Sequence, residues 1–421
     1  MTRRILFIEA VQYGTYYADR YAHICKLGYD VHVLYGTGTL EGRDRAHHRV
    51  AGERNIDTLI AAAAGWHRET PFDGITTLCE PSVLATAEIA AALGLSYPSL
   101  GAALLSRDKF EMRCAHRGLG VPHPHFIGLR EITDLAAWPE SAYPAIVKPA
   151  MGSASSFVFR ADTPEELRRY AQLVLENVST MAVAKLEAEM PLRDAPSVVV
   201  ERFLDGSEHL VEGYVYNGCF VLGSIVDRIT LEGVTFDDDV HHAPSRLSLE
   251  DQHRVGEVIG LACTAQKIDM VTVHAEVRFH EVRPYIVEIG IRPGGGGLNL
   301  MAGESFGYDP LDMVARLALG QIPGPRPAGP TGVHTAAACL MGYEGQISGI
   351  EGAEALRDDP SVFFFKLVAA VGTELRRPPR GNSIVGFLGV RGTSYADVVE
   401  TLNRKSAKLR VIVEEVDHVG G

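Results

Sequence analysis

Glu276 and Glu288 are the acidic side chains of this sequence whose spacing best suits a metal ion. Polar and apolar residues alternate along 273–279 and again along 284–292, which predicts a hairpin of two strands. A turn centred on Val282 places Glu276 directly opposite Glu288, with Cβ atoms about 4.5–5.5 Å apart. Two carboxylates this close repel each other unless a cation lies between them, and Mg²⁺ accepts such ligands together with substrate phosphates. An exposed strand face with scattered charges explains the pattern equally well.

The same alternation predicts which residues of the second strand share a face. One face is expected to carry polar groups beside the first carboxylate, and the other is expected to pack on a core. The predicted polar face holds Ile286, Glu288, Gly290 and Arg292, and the predicted apolar face holds Tyr285, Val287, Ile289 and Ile291.

Lys148 ends a predicted strand (145–149) and precedes a loop of small residues at 151–156. Small residues let backbone N–H groups approach phosphate oxygens closely, and a nearby ammonium neutralises their charge. In this loop Gly152, Ser153 and Ser155 are the candidate contacts. A plain turn is the alternative, because the lysine precedes the glycine and no GK[ST] sequence follows.

The segment 201–209 combines an apolar strand with a polar turn that carries a second carboxylate. A strand that leaves its sheet offers the backbone donor and acceptor that an adenine needs. The Glu208 carboxylate just beyond could accept hydrogen bonds from ribose hydroxyls. An edge strand followed by a turn is the alternative.

The N-terminal part of the chain alternates strands and helices, which predicts a doubly wound, parallel α/β domain at 1–105. Its glycine-rich segment, 36–42, follows the second strand and not the first, so it does not fit a dinucleotide-binding fingerprint. A helix at 106–120, capped by Ser106, then opens a central part at 106–320 with a small subdomain at about 120–200. A Pro/Gly-rich linker precedes a smaller α+β lobe, 321–421.

Charge and composition narrow the class of protein. The 421 residues carry 40 Lys and Arg against 53 Asp and Glu, a net charge of −13, which weighs against a nucleic-acid partner. No apolar run is long enough to span a bilayer, and the N-terminus lacks the features of a signal peptide. The six cysteines form no CxxC pair, which is typical of buried thiols in a reducing compartment. We therefore expect a cytoplasmic protein without a membrane partner.

In this order, the segments resemble those of the ATP-grasp superfamily, and more specifically of its carboxylate–amine ligases. The motifs cover roughly 105–320, and the overall layout is similar to that of bacterial ligases that join two unprotected amino acids into a dipeptide. The resemblance implies that 106–320 is the ATP-grasp unit and that the subdomain at about 120–200 carries a lid over ATP. It implies that Lys109 and Lys148 contact the α- and β-phosphates of ATP. Glu201, Phe203 and Leu204 would hold the adenine, and Glu208 would hold the ribose. Glu276 and Glu288 would bind one or two Mg²⁺ (or Mn²⁺) ions.

On the substrate side, the resemblance implies that Arg292 faces the reacting carboxyl group and is catalytic together with Lys148. His242 matches a substrate-side histidine, although His241 or His242 could equally be a surface residue. Gly295 lies in the loop 293–297, which either shapes the acyl pocket or only lets the chain turn. Gly290 departs from the family pattern, because many members have Asn there as a metal ligand.

The implied reaction transfers the γ-phosphate of ATP to a small-molecule acid, and an amine then attacks the acyl phosphate. Two other functions stay open at this point. One is a carboxylase-type enzyme that works through carboxyphosphate, and the other is a non-catalytic nucleotide-binding protein. A homodimer is common among similar proteins.

Overall fold

In the computed structural model, the first part of the chain folds into a parallel sheet covered on both sides. The structure describes residues 2–10, 16–152, 155–178, 195–230, 239–324, 329–376 and 383–414. The sheet has the order β3-β2-β1-β4. Its elements are β1 (Arg4–Glu9), α1 (Ala18–Lys26), β2 (Asp30–Tyr35), β3 (His48–Val50), α2 (Ile56–Glu69), β4 (Gly74–Thr76) and α3 (Val83–Leu93).

Both faces of this sheet are buried, as the predicted doubly wound arrangement requires. Ile5 and Phe7 pack with α1 on one face, while Leu6 and Ile8 pack with α2 and α3 on the other. The first face is completed by α9 (Pro310–Ala318), which follows the central part in sequence. The N-terminal sheet is therefore attached to the central part by shared apolar packing.

The helix predicted at 106–120 begins later than expected. Two helices meet here, α4 (Leu100–Arg107) and α5 (Lys109–Leu119), and Ser106 lies inside the first of them. Asp108 is the cap, because its carboxylate accepts from the backbone N–H groups of Phe110 and Glu111. This cap starts α5 at Lys109, so the side chain of Lys109 points from the first turn into the protein.

A four-stranded antiparallel sheet in the order β5-β8-β6-β7 lies in the region predicted to be a small subdomain. One face packs on α6, whose N-cap is Thr163. The other face carries Lys148 and Glu201 and packs on α5 through Val199. The elements are β5 (Phe126–Leu129), β6 (Ala145–Pro149), β7 (Phe159–Ala161), α6 (Pro164–Asn177) and β8 (Val198–Arg202).

An eight-stranded sheet, in the order β13-β12-β9-β10-β11-β14-β18-β16, joins the central and C-terminal parts. The apolar side of its first strands packs on α7, whose N-cap Ser248 accepts from the backbone of Asp251. Its central strands and helices are β9 (Glu208–Tyr216), β10 (Cys219–Thr230), β11 (Asp239–Ala243), α7 (Leu249–Ala265), β12 (Val271–His280), β13 (Arg283–Gly290) and α8 (Leu298–Phe306).

The C-terminal part adds strands to this sheet and forms a second, three-stranded sheet in the order β17-β15-β19. An α+β composition was predicted for this part, and the structure has one. The elements are β14 (His334–Met341), β15 (Gly345–Glu351), α10 (Ala353–Arg357), β16 (Val362–Leu367), β17 (Glu374–Leu375), β18 (Ile384–Gly392), α11 (Tyr395–Ser406) and β19 (Arg410–Glu414). None of the helices in the described residues has the length and apolarity to cross a membrane.

The hairpin β12–β13 confirms the pairing of Glu276 with Glu288 but corrects the faces of the second strand. His280 pairs with Arg283, so the turn is centred between Glu281 and Val282, and a bulge in β13 then adds one residue before Glu288. Because of the bulge, Ile286 faces the core with Ile289, and the prediction that it shares the face of Glu288 is wrong.

We predict that Gly206→Ala lowers the stability of the protein. A Cβ atom at position 206 would overlap the carbonyl oxygen of Phe279, because the turn before β9 runs beside β12 and Ser207 accepts a hydrogen bond from the N–H of Phe279. We expect a loss of about 3 kcal/mol from this overlap, measured by urea unfolding. Gly118→Ala in α5, where nothing lies within 4 Å of the added carbon, is the control and should be neutral or stabilising. Equal stability of the two variants would contradict the close approach.

Candidate active site

The two hairpin carboxylates face each other across β12 and β13, and each has a cation nearby. Lys109 Nζ lies 3.0 Å from Glu288 Oε1, and Arg228 Nη1 lies 3.8 Å from Glu276 Oε2. The pKa of Glu276 is raised, because the group is withdrawn from water and Glu288 adds a second negative charge. A divalent cation with oxygen ligands between the two carboxylates would offset this repulsion and fits the arrangement.

We predict that this raised pKa makes the metal-free protein less stable as the pH rises. A carboxyl group with a raised pKa in the folded state costs nothing below its ordinary pKa, 4.5, and costs stability as it ionises above that pH. In EDTA, Glu276→Gln should therefore be more stable than wild type in alkaline buffer, and the gain should vanish below pH 4.5. Thermal unfolding across the pH range measures it. A gain that is independent of pH would contradict the assignment.

Lys148 and Glu201 form a buried ion pair on adjacent strands β6 and β8. Ile146 pairs with Glu201, so Lys148 is its diagonal neighbour, and Lys148 Nζ reaches Glu201 Oε2 at 2.7 Å. Arg113 of α5 approaches the same carboxylate, with Nε 2.8 Å from Oε1. Burial raises the pKa of Glu201, but Arg113 and Lys148 outweigh it and lower the pKa to about 2. The carboxylate thus stays ionised and fixes the position of the lysine.

Arg113 also connects this pair to the metal hairpin. Its Nη2 donates to the carbonyl oxygen of Val287, the residue at the bulge, over 2.8 Å. Lys109 and Arg113 are one helical turn apart on the buried face of α5. The same helix therefore positions the Lys109 ammonium at Glu288 and the Arg113 guanidinium at Glu201. The structure therefore brings Lys148, Lys109 and the two hairpin carboxylates into one connected set of contacts.

Arg292 is held by a carboxylate of the N-terminal domain. Arg292 Nε contacts Glu80 Oε2, and Arg107 Nη1 lies 2.6 Å from Glu80 Oε1. Burial raises the pKa of Glu80, but Arg292 and Arg107 overcome this and lower it to about 2. A Cβ atom at Gly290 would lie 3.3 Å from Glu80 Oε2. Glu80 thus occupies the space beside Gly290, the position at which many ATP-grasp sequences have Asn.

We predict that Glu80→Gln destabilises the fold by about 3–5 kcal/mol, because it leaves the buried Arg107 and the partly buried Arg292 without their shared counter-charge. Denaturant unfolding measures this loss. Glu41→Gln, the same change at an exposed position, should have no effect. If both variants unfold at the same denaturant concentration, the buried ion pairs contribute no stability.

Two arginines contact the segment predicted to bind adenine and ribose. Arg228 Nη1 and Arg278 Nε lie 2.6 and 2.9 Å from the two oxygens of Glu208, and these arginines lower its pKa despite burial. Arg278 also donates to the carbonyl oxygen of Leu204 and lies 5.0 Å from the ring centre of Phe203. A cleft of about 430 Å³ borders this cluster. Its lining residues are Gly206, Ser207, Glu208, His209, Asp227, Arg228, Ile229, Arg246, Leu247 and Arg278.

The small-residue loop after Lys148 is described in part. The carbonyl oxygen of Gly152 accepts a hydrogen bond from Arg107 over 3.3 Å, which ties the loop to the same arginine that binds Glu80. Ser155 has a positive φ of 53°. Ser153 lies outside the described residues.

His242 is buried and not a surface residue, and His241 is buried as well, so the surface alternative is wrong for both. The His242 ring lies 5.6 Å from that of His334 and 4.4 Å from that of Tyr395, and its Nδ1 is 4.0 Å from Asp227. Burial lowers the pKa of His242 to about 4, so the ring is neutral at pH 7. Whether it contacts a substrate stays a prediction.

The glycine loop 293–297 does more than let the chain turn. The N–H of Gly294 donates to both oxygens of Glu212, at 3.0 and 3.2 Å, and its carbonyl oxygen accepts from Arg20. A Cβ atom there would lie 2.4 Å from Glu212, so the close approach requires glycine. Gly295 is next to this anchor, and the predicted role of Gly295 in an acyl pocket is consistent with the position but untested.

Sequence reasoning missed Glu80, Arg107, Arg113, Arg228 and Arg278. One signal was available for Arg113, because Lys109, Arg113 and His116 recur at helical spacing and form the buried face of α5. The ion pairs of Glu80 join residues 27 and more than 200 positions apart in sequence, and no local pattern marks such pairs. The cysteine prediction also needs correction, because Cys25 and Cys219 are exposed, although all six thiols are free.

Comparisons with known proteins agree with this arrangement. Residues 25–96 match the family model of the ATP-grasp N-terminal domain, and residues 141–299 match that of the ATP-grasp domain. This chain contains ATP-grasp domains. Residues 338–414 of this ATP-grasp protein also match the model of the L-amino acid ligase C-terminal domain 2.

Three individual proteins are similar to this ATP-grasp chain. The uncharacterized protein y4rH of Sinorhizobium fredii is 24% identical over 77% of this chain, and the L-arginine-specific L-amino acid ligase of Bacillus subtilis is 31% identical over 56% of it. These matches span 64% and 55% of the two relatives. The crystal structure of an L-amino acid ligase from Bacillus licheniformis superposes with a TM-score of 0.81 at 22% identity, covering 98% of this chain and 99% of that one. This likeness shows a shared fold.

Proposed function

We propose that this protein is an ATP-dependent ligase that joins the carboxyl group of one amino acid to the amine of another, releasing ADP and phosphate. The observation that carries the proposal is the pairing of Glu276 with Glu288 in the hairpin. Lys109 forms an ion pair with Glu288, and Arg292 follows Glu288 by four residues in the chain. This arrangement supplies cations and a metal-binding carboxylate pair to one place. The match of 338–414 to an L-amino acid ligase domain supports amino acids as the substrates.

ATP binding is assigned to the groups around the two lysines. Lys148, fixed by Glu201, and Lys109 neutralise the phosphates, and Gly152 and Ser155 are the described loop residues assigned to contact them. Glu201, Phe203 and Leu204 line the adenine, and Glu208 lies at the ribose with its arginine partners. Glu276 and Glu288 hold Mg²⁺ (or Mn²⁺), which supplies charge neutralisation at the transferring phosphoryl group.

Arg292 is assigned to the reacting carboxyl group. The substrate carboxylate attacks the γ-phosphate of ATP, and the P–O bond to ADP breaks as the acyl phosphate forms. The amine of the second substrate then attacks the acyl carbon, and the C–O bond to phosphate breaks. Arg292, oriented by Glu80, stabilises the negative oxygen that develops in this second step. Positioning and charge neutralisation by the protein are sufficient, and no side chain acts as a nucleophile.

The experiment that tests the proposal is an assay of the purified chain with ATP, Mg²⁺ and a mixture of amino acids. We expect ADP and phosphate to form in step with a new amide, detected by mass spectrometry. Release of AMP and pyrophosphate would refute the acyl-phosphate route. Phosphate release that depends on bicarbonate would favour the carboxylase-type alternative, and tight ATP binding without turnover would favour the non-catalytic one.

A further inference from the structure

A second group of ligand-type side chains lies on the N-terminal sheet, apart from the ATP site. Asp30 and His32 are two residues apart on β2, so their side chains lie on the same face. His32 Nε2 is 3.0 Å from Asp30 Oδ1, and His47 Nε2 is 3.3 Å from the same oxygen. One ligand atom from each of the three residues lies within 4.8 Å of the other two. Two imidazoles and one carboxylate thus converge on one point.

The surroundings of His32 do not explain why a polar ring is buried there. Its side chain is 5% exposed and packs edge-on against Trp66 and Phe72, at ring separations of 5.4 and 5.3 Å. Among the described residues, its Nδ1 has no hydrogen-bond partner, and its Nε2 has only the carboxylate of Asp30 nearby. A buried polar atom without a partner costs free energy.

Further side chains hold the other two residues in orientations suited to a metal. Asp44 Oδ2 lies 2.6 Å from His47 Nδ1, so the Nε2 atom of His47 is left directed at Asp30 and His32. A carboxylate on the far nitrogen of a histidine is the usual support of a metal-binding imidazole. Arg4 Nε lies 3.3 Å from Asp30 Oδ2 and holds the second oxygen of that carboxylate.

We infer that Asp30, His32 and His47 bind a divalent transition-metal ion of the Zn²⁺ type. Zinc takes histidine nitrogens and carboxylate oxygens at about 2.0–2.2 Å, and ligand atoms 3.0 to 3.3 Å apart can reach one ion at these lengths. Mg²⁺ and Ca²⁺ prefer oxygen ligands and are less suited to two imidazoles.

The position on the sheet assigns this ion a structural role. Asp30 begins β2, whereas Tyr35, at the other end of the strand, lies about 17 Å away at the usual rise per residue. The carboxyl ends of the strands are the side on which Glu80 and Arg292 meet. The ion would join β2 to the turn that carries Asp44 and His47, and it would be separate from the phosphoryl-transfer site.

The test uses the full chain with Glu276→Gln and Glu288→Gln, which removes the other carboxylate pair that could take the probe. Isothermal titration with Zn²⁺ alone should give one ion per chain, and His47→Ala should abolish this binding. Asp44→Asn, which alters only the support of His47, should weaken it about 10-fold. His253→Ala is the matched control, because His253 also lies beside a carboxylate, Glu257, at 3.2 Å on the surface and should leave the titration unchanged.

Cobalt gives a second readout that does not depend on affinity. Co²⁺ in place of Zn²⁺ should show the intense visible absorption of a four- or five-coordinate ion, and His47→Ala should remove it. Binding of zinc that is equal in the His47→Ala and His253→Ala proteins would overturn the inference. The otherwise wild-type His47→Ala protein should keep its ATP-dependent phosphate release, which separates this site from the proposed ligase activity.

Discussion

Glu288→Gln is expected to lower kcat for phosphate release by about 10³-fold, because the loss of metal-based charge neutralisation costs several kcal/mol in the transition state. The change removes one of the two carboxylates that face each other across the hairpin and the partner of Lys109. Gln keeps the size of the side chain, so the packing of β13 should be preserved. Steady-state kinetics at increasing Mg²⁺ concentrations measure the effect and show whether high metal concentrations restore part of the rate.

The matched control for this variant lies in the same hairpin. Glu281→Gln makes the same chemical change in the exposed turn between β12 and β13 and should leave kcat unchanged. Turnover of Glu288→Gln at the wild-type rate would refute the metal role of Glu288. It would also remove the observation on which the ligase proposal depends.

Arg292→Ala is expected to lower kcat by about 10²–10³-fold, the usual cost of removing one group that stabilises a developing oxyanion. Glu80 keeps its contact with Arg107 in this variant, so the fold should be retained. Arg292→Lys should recover only part of the rate, since an ammonium keeps the charge but loses the planar pair of donors that matches a carboxylate. Initial rates of ADP formation with saturating ATP measure both variants.

Arg283→Ala is the control for Arg292, because Arg283 is an exposed arginine at the start of β13, the strand that ends two residues before Arg292. Its rate should be that of the wild type. If Arg292→Ala changed only the KM for the acid and left kcat intact, Arg292 would bind the ground state and would not act on the oxyanion.

The ion pairs of the site explain how a largely buried cluster of charges stays folded. Arg113 and Lys148 share the carboxylate of Glu201, and Arg107 and Arg292 share that of Glu80. A buried charge is tolerated when it is paired and hydrogen-bonded, and it becomes costly when one partner is removed. The exception is Glu276, whose raised pKa marks a carboxylate with too little positive charge around it. That is the place where a metal ion is expected.

Much of the local structure was predictable from the sequence. Alternation predicted both strands of the metal hairpin. The predicted pairing of Glu276 with Glu288 was also correct, although the turn is centred between Glu281 and Val282 and not on Val282. The extra residue of the bulge in β13 offsets this displacement of the turn. These features depend on residues close together in the chain, whose side-chain types set the backbone conformation directly.

Local patterns along the chain were thus enough to predict most strands and the opposition of two acidic residues in one hairpin. The packing of distant segments set which cations meet those acids and that Glu80 of one domain holds Arg292 of another. The physical reason is that a hairpin closes over a few residues, whereas Glu80 and Arg292 meet only after separate sheets have packed together. The charge of a residue does not identify its distant ion-pair partner, because any arginine of the chain could pair with a given carboxylate. The partner is fixed only when folding brings one arginine close to it.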